Sequence, residues 1–215
     1  MGRSNKGQEE QIMKARVFLQ NARDPEILIS FEEVGITAAV LDEGDTLLNV
    51  AEQAYLNQQT QYGNQFAAKD ARDSKWEKTH RIYLGQVEVA RLHFEADRSM
   101  QKKLGLQGAR KKDIPGWIAQ TRQFYLTALG DEAIQTALAS EGISKEKLEA
   151  GKQMVSEVEA AFLQQQDNRG DAQQSTHHRN QTVRQLEKFM INKRTRAQIA
   201  LSDKPQLLEK LGIVV

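Results

Sequence analysis

One stretch of about 107 residues occurs twice in this chain, and that constrains the fold more than any motif does. Shifting the sequence by 107 positions aligns the halves without a gap. Gly35-Ile36-Thr37 falls on Gly142-Ile143-Ser144, Gly44 on Gly151, and Lys103-Leu104-Gly105 on Lys210-Leu211-Gly212. Glu52, Ala54, Leu56, Gln58, Gln59 and Gly63 meet Glu159, Ala161, Leu163, Gln165, Gln166 and Gly170, and Arg72 meets Arg179. In all, 19 of 107 pairs are identical, where chance for this composition gives roughly half that or less. Such a chain is expected to fold as two copies of one unit, internal repeats of about 1–107 and 108–214 within a single helical domain, 1–215.

The unit is all-helical. No alternating Val/Ile/Thr run is bounded by turn residues, so strands are not expected. Helical spacing runs almost throughout. The three prolines, Pro25, Pro115 and Pro205, each open a helical segment, where the missing N–H is harmless. Gly35 and Gly142 mark left-handed helix ends. Thr37 and Ser144 follow as N-caps, their hydroxyls able to accept first-turn N–H groups.

A long helix then runs over about 37–62, copied at 144–169. Its seam is Leu41, Gly44, Leu48, Ala51, Tyr55, Gln58 and Tyr62. Gly63-Asn64 and Gly170-Asp171 read as tight turns. The chain returns over about 65–96 and 172–202, and a short helix ends at Gly105 or Gly212. Each repeat is thus expected to be a helical hairpin. A lone hairpin buries one stripe per helix, so two must pack together. The predicted fold is all-α: an elongated four-helix bundle of two tandem helical-hairpin repeats with short flanking helices, related by a pseudo-two-fold axis. Residues 37–62 carry Asp42, Glu43, Asp45 and Glu52 without Lys or Arg, whereas 65–96 carries Lys69, Arg72, Lys75, Lys78, Arg81 and Arg91. Opposite charges are expected to line neighbouring helices. Paired Gly44 and Gly151 predict close approach at the seam.

Composition excludes several chemistries. There is no cysteine, hence no disulfide, thiolate nucleophile or iron–sulfur cluster. Lys and Arg number 30 against 29 Asp and Glu, which argues against a dedicated nucleic-acid or anionic-membrane protein. The basic clusters Lys102-Lys103, Arg110-Lys111-Lys112 and Lys193-Arg194-Thr195-Arg196 lack interleaved aromatics and leave only a weak nucleic-acid reading. No apolar run is long enough to span a bilayer. The polar opening Met1 to Gln11 does not resemble a signal peptide, so a reducing cytoplasm is the expected compartment. No phosphate loop, nucleophile elbow or dinucleotide fingerprint is present.

One constellation points to metal chemistry. Glu77-Lys78-Thr79-His80 places a carboxylate and an imidazole one turn apart. With the hairpin closed at Gly63, Glu52 comes to similar depth, and Glu159 copies it. To that extent the chain resembles a ferritin-like bundle, a likeness that implies a carboxylate-bridged di-metal site. The copied positions of Glu77 and His80 are Arg184 and Glu187, which removes the second motif and leaves Glu52, Glu77, His80 and Glu159, with Glu187, as the candidate ligands. The plainer reading makes His80 and Glu187 a polar pair within the seam.

With no catalytic set and no cofactor implied, the sequence favours a non-enzymatic structural or protein-interaction role. The partner is an unidentified protein, self-association included. The expected contact residues lie at polar hairpin tips and the apolar end: Gln58, Gln59, Tyr62, Phe66, Gln165, Gln166, His177, Val214 and Val215.

Overall fold

The structure is a computed structural model that describes residues 2–214, with side chains from residue 7 onward. The described residues form helices and no strand. In chain order these are α1 (Gly2–Asn21), α2 (Pro25–Glu33), α3 (Ala38–His93), α4 (Arg98–Lys103), α5 (Ile114–Gly130), α6 (Glu132–Ser140), α7 (Lys145–Ala200) and α8 (Pro205–Lys210). Long helices α3 and α7 pack together with the shorter helices.

Local chemistry sets the short helices. Asp24 accepts the Glu26 amide at 3.0 Å, with Pro25 opening α2. Asp131 caps α6 through the Ala133 amide at 2.9 Å, and Asp113 caps α5 through Gly116 at 2.7 Å. Each cap satisfies donors that the helix leaves free. Gly35 and Gly142 have φ of +73° and +80°. Beyond them, Ile36 and Ile143 donate to Phe31 and Leu138 carbonyls, both at 2.9 Å, the six-to-one bond of a Schellman ending. Thr37 and Ser144 then accept from Val40 and Lys147 amides, each at 3.4 Å.

The hairpins do not form. α3 runs 56 residues through Gly63-Asn64, and α7 runs 56 residues through Gly170-Asp171. A mid-helix glycine costs only about 1 kcal/mol against alanine. Here the flanks are strong helix formers, such as Gln65, Ala67 and Ala68, and no proline intervenes. Neither glycine has positive φ. Continuing the helix keeps backbone hydrogen bonds that a turn would break.

The chain divides into two compact units, and neither coincides with one repeat. The first comprises Met1–Tyr62 and Asp171–Val215; the second is Gly63–Gly170. Each therefore combines the front of one long helix with the back of the other. The first unit's core gathers Phe18, Leu19, Ile27, Phe31, Ile36 and Leu41 with Val183, Leu186 and Met190. The second unit's core gathers Tyr83, Val87, Trp117, Phe124, Tyr125 and Leu138 with Leu148 and Val158.

Candidate functional site

Residues expected at solvated tips lie instead along uninterrupted helices, and some are buried. In the first unit Arg179 is 4% exposed. It donates to Gln58 Oε1 at 3.0 Å and to Asn180 Oδ1 at 2.8 Å. In the second unit Arg72 donates to Gln165 Oε1 at 3.2 Å and also holds Asp73. Arg72 and Arg179 are 107 positions apart, as are Gln58 and Gln165. Gln58 and Gln165 are therefore internal partners rather than contact residues, because the helices carry straight on where a tip was expected. Their identity in both halves of the sequence marked Arg72 and Arg179, but their glutamine partners lie on the other long helix.

The other expected contact residues are dispersed. Gln59 is exposed and donates to the Tyr55 hydroxyl at 3.3 Å. Tyr62 is half-buried, while Gln166 and His177 are exposed. Phe66 is 61% exposed and Val214 93%. Val215 lies outside the described residues. Tyr55 and Phe162 are half-buried; Tyr55 turns its hydroxyl to Glu9.

The metal candidates do not gather. Glu52 accepts from Arg16 at 2.7 Å and Glu187 from Gln11 at 2.9 Å, both in the first unit. Glu159 pairs with Arg122 in the second. Glu77 is exposed. Among the described residues, no three of His, Asp and Glu are grouped to hold a metal ion. The predicted charge pairing is also redrawn. Asp42 and Asp45 pair with Arg23 at 2.6 Å each, and Glu52 with Arg16, so their named partners come from α1 and the segment after it rather than from a returning helix.

His80 lies in an aromatic cluster. Trp117 Nε1 donates to His80 Nδ1 at 2.9 Å. Trp76 stacks on the imidazole at 4.8 Å between centroids. Nδ1 must keep its lone pair to accept, so the ring is neutral with its proton on Nε2. Desolvation lowers the His80 pKa, because burial penalises the charged form. Tyr83 packs edge-on to Trp117 and Phe124, and its hydroxyl accepts from Arg110 at 2.9 Å. Arg110 also donates to the Gly105 carbonyl at 2.8 Å, and Arg91 to the Leu106 carbonyl at 2.8 Å. Arg196 donates to the Val34 carbonyl at 3.0 Å. These cations from or near the basic clusters tie down loop and helix ends.

The seam glycines admit side chains. A Cβ on Gly44 would meet Leu19 Cδ2 at 2.5 Å and Phe189 Cε1 at 2.9 Å; one on Gly151 would meet the Tyr125 ring at 2.4 Å. The close approach is thus that of a neighbouring side chain.

Among the exposed apolar side chains, three pairs fall at matching positions. Leu56 and Leu163 are 58% and 57% exposed, Leu84 and Ile191 40% and 58%, and Leu92 and Ile199 71% and 66%. Each pair is separated by 107 residues. No helix among the described residues is long and apolar enough to cross a membrane. No protein-family model, curated protein or solved structure matches the chain.

Proposed function

We propose that this is a non-enzymatic, scaffold-like helical protein that works by holding other proteins, and that its sequence derives from one duplicated segment of about 107 residues. The observation that carries the reading is the matched exposure of Leu56 and Leu163, Leu84 and Ile191, and Leu92 and Ile199. Isolated apolar residues on a surface are ordinary. Large ones kept at the same three places in both halves suggest a use. The internal bonds repeat in the same sense. Arg179 with Gln58 matches Arg72 with Gln165. The Lys210 carbonyl accepts from Asn21 of α1, and the Lys103 carbonyl from Gln123 and Thr127 of α5. Duplication explains why such details recur although the cores are filled differently.

The test is crosslinking in the native cell with the full chain as bait. Crosslinks from α3 and α7 to a protein partner, reduced when Leu92 and Ile199 are changed to Glu, are expected. Elemental analysis supplies the opposing outcome: stoichiometric iron, manganese or zinc lost in His80→Ala favours the metal-bundle reading and overturns this one.

A further inference from the structure

The outer faces of the two long helices differ in charge while sharing their apolar positions. In the second unit, Asp70, Glu77, Arg81, Leu84, Glu88 and Leu92 are all exposed. At 100° per residue they fall within an arc of about 80° on α3. Three acids against one base give this stripe a net charge of −2. In the first unit, the same positions plus 107 on α7 are His177, Arg184, Lys188, Ile191, Thr195 and Ile199, again all exposed. Two bases and no acid give +2 with His177 neutral. A shallow groove on this face is lined by His177, Arg184 and Lys188 together with amide side chains. Asp70 becomes His177, Glu77 becomes Arg184 and Glu88 becomes Thr195, whereas Leu84 and Leu92 become Ile191 and Ile199.

We infer that the partner is a second copy of this chain, the basic α7 face of one copy docking on the acidic α3 face of another. The inference rests on the interaction-protein reading above and names its occupant. Opposite charges steer the two faces together and disfavour α3 on α3 or α7 on α7. The apolar residues provide the area to be removed from water. The contact is heterologous: each copy that uses its α7 face still offers its α3 face. Such contacts close into rings or extend into open assemblies.

Sedimentation of the full chain across concentration and salt tests this, with two charge-reversed variants. One carries Asp70→Lys, Glu77→Lys and Glu88→Lys; the other carries Arg184→Glu and Lys188→Glu. All five positions are exposed, and circular dichroism checks that helicity is kept. The wild-type mass should rise above that of one chain with concentration and fall back as salt screens the charges. Each variant alone should stay a single chain, and an equal mixture should assemble again, since each then offers the sign the other lacks. A wild type that stays monomeric at its highest soluble concentration, variants that assemble as the wild type does, or a mixture that stays apart overturns the inference. A monomeric wild type that still crosslinks a partner in the cell leaves the broader reading standing.

Discussion

The two units share a frame and differ in what fills it. Each has a first helix (α1 or α5), a short capped helix ending on a left-handed glycine (α2 or α6), two long-helix segments and a last short helix (α8 or α4). The first unit is packed with aliphatic residues and two stacked phenylalanines, Phe18 and Phe31. The second is packed with Trp117, Tyr83, Phe124 and Tyr125, whose polar atoms draw in His80 and Arg110. Where the second unit has Tyr83 and Trp117, the same positions in the first hold Met190 and Glu10. Caps, terminal glycines and the spacing of apolar positions are common to both units, whereas their core side chains differ. The aromatic packing of the second unit brings His80 and Arg110 against its core rings, whereas the first unit buries Arg179 against Gln58 beside its aliphatic core.

The largest asymmetry should come from Trp117→Ala. Deleting a fully buried tryptophan costs about 3–5 kcal/mol. Amide exchange should rise within 63–170 far more than in the first unit, and equal loosening of both would break the division into units. Next comes a contrast between glycines. Gly151→Ala drives a methyl into the rigid Tyr125 ring, while Gly44→Ala presses chiefly on the flexible end of Leu19, with Phe189 beyond it. Overpacking of this kind costs about 1–3 kcal/mol, so Gly151→Ala should lower the melting temperature more. Reversal of that order would mean the Tyr125 contact yields easily.

A smaller effect separates the two arginines. Arg179 is nearly enclosed and Arg72 is half-buried. Arg179→Ala strands the buried Gln58 amide oxygen and should cost about 1–3 kcal/mol; Arg72→Ala, with solvent at hand, should cost less in chemical denaturation. The smallest effect is set by pH. Because the folded-state pKa of His80 lies below its ordinary value of about 6.5, both states are neutral above that value. As pH falls below it, the unfolded chain takes up the proton first and stability declines until pH passes the folded value. The melting temperature of His80→Gln should show a shallower loss over that window than the wild type. Identical slopes would remove His80 as the cause.

Much of the frame was legible in the sequence because its signals are local. Pro25, Gly35 and Thr37 each act within one helical turn, and Gly142 and Ser144 act in the same way as Gly35 and Thr37. The path of the chain at Gly63 was not local. Gly-Asn suits a turn, yet inside a helix it costs little, so the outcome depends on which distant stripe the following segment meets. Residues 65–93 line the second unit with α5, α6 and the front of α7, contacts no window of sequence contains. Placing a turn there made Gln58 and Gln165 look exposed and brought Glu52 and Glu77 to one depth. Both errors have that single origin. Arg72 and Arg179 were visible as identities, but their role required knowing that each faces the glutamine of the other long helix.

Backbone Cα chemical shifts through residues 60–67 and 167–174 test the central claim, that α3 and α7 run unbroken through Gly63 and Gly170 and so each contribute to both units. The account predicts helical shifts at every residue in both windows, with slow amide exchange at the flanking positions. Coil-like shifts and rapid exchange at Gly63-Asn64 and Gly170-Asp171, with helix on either side, would mean that each long helix breaks into a hairpin and would contradict it.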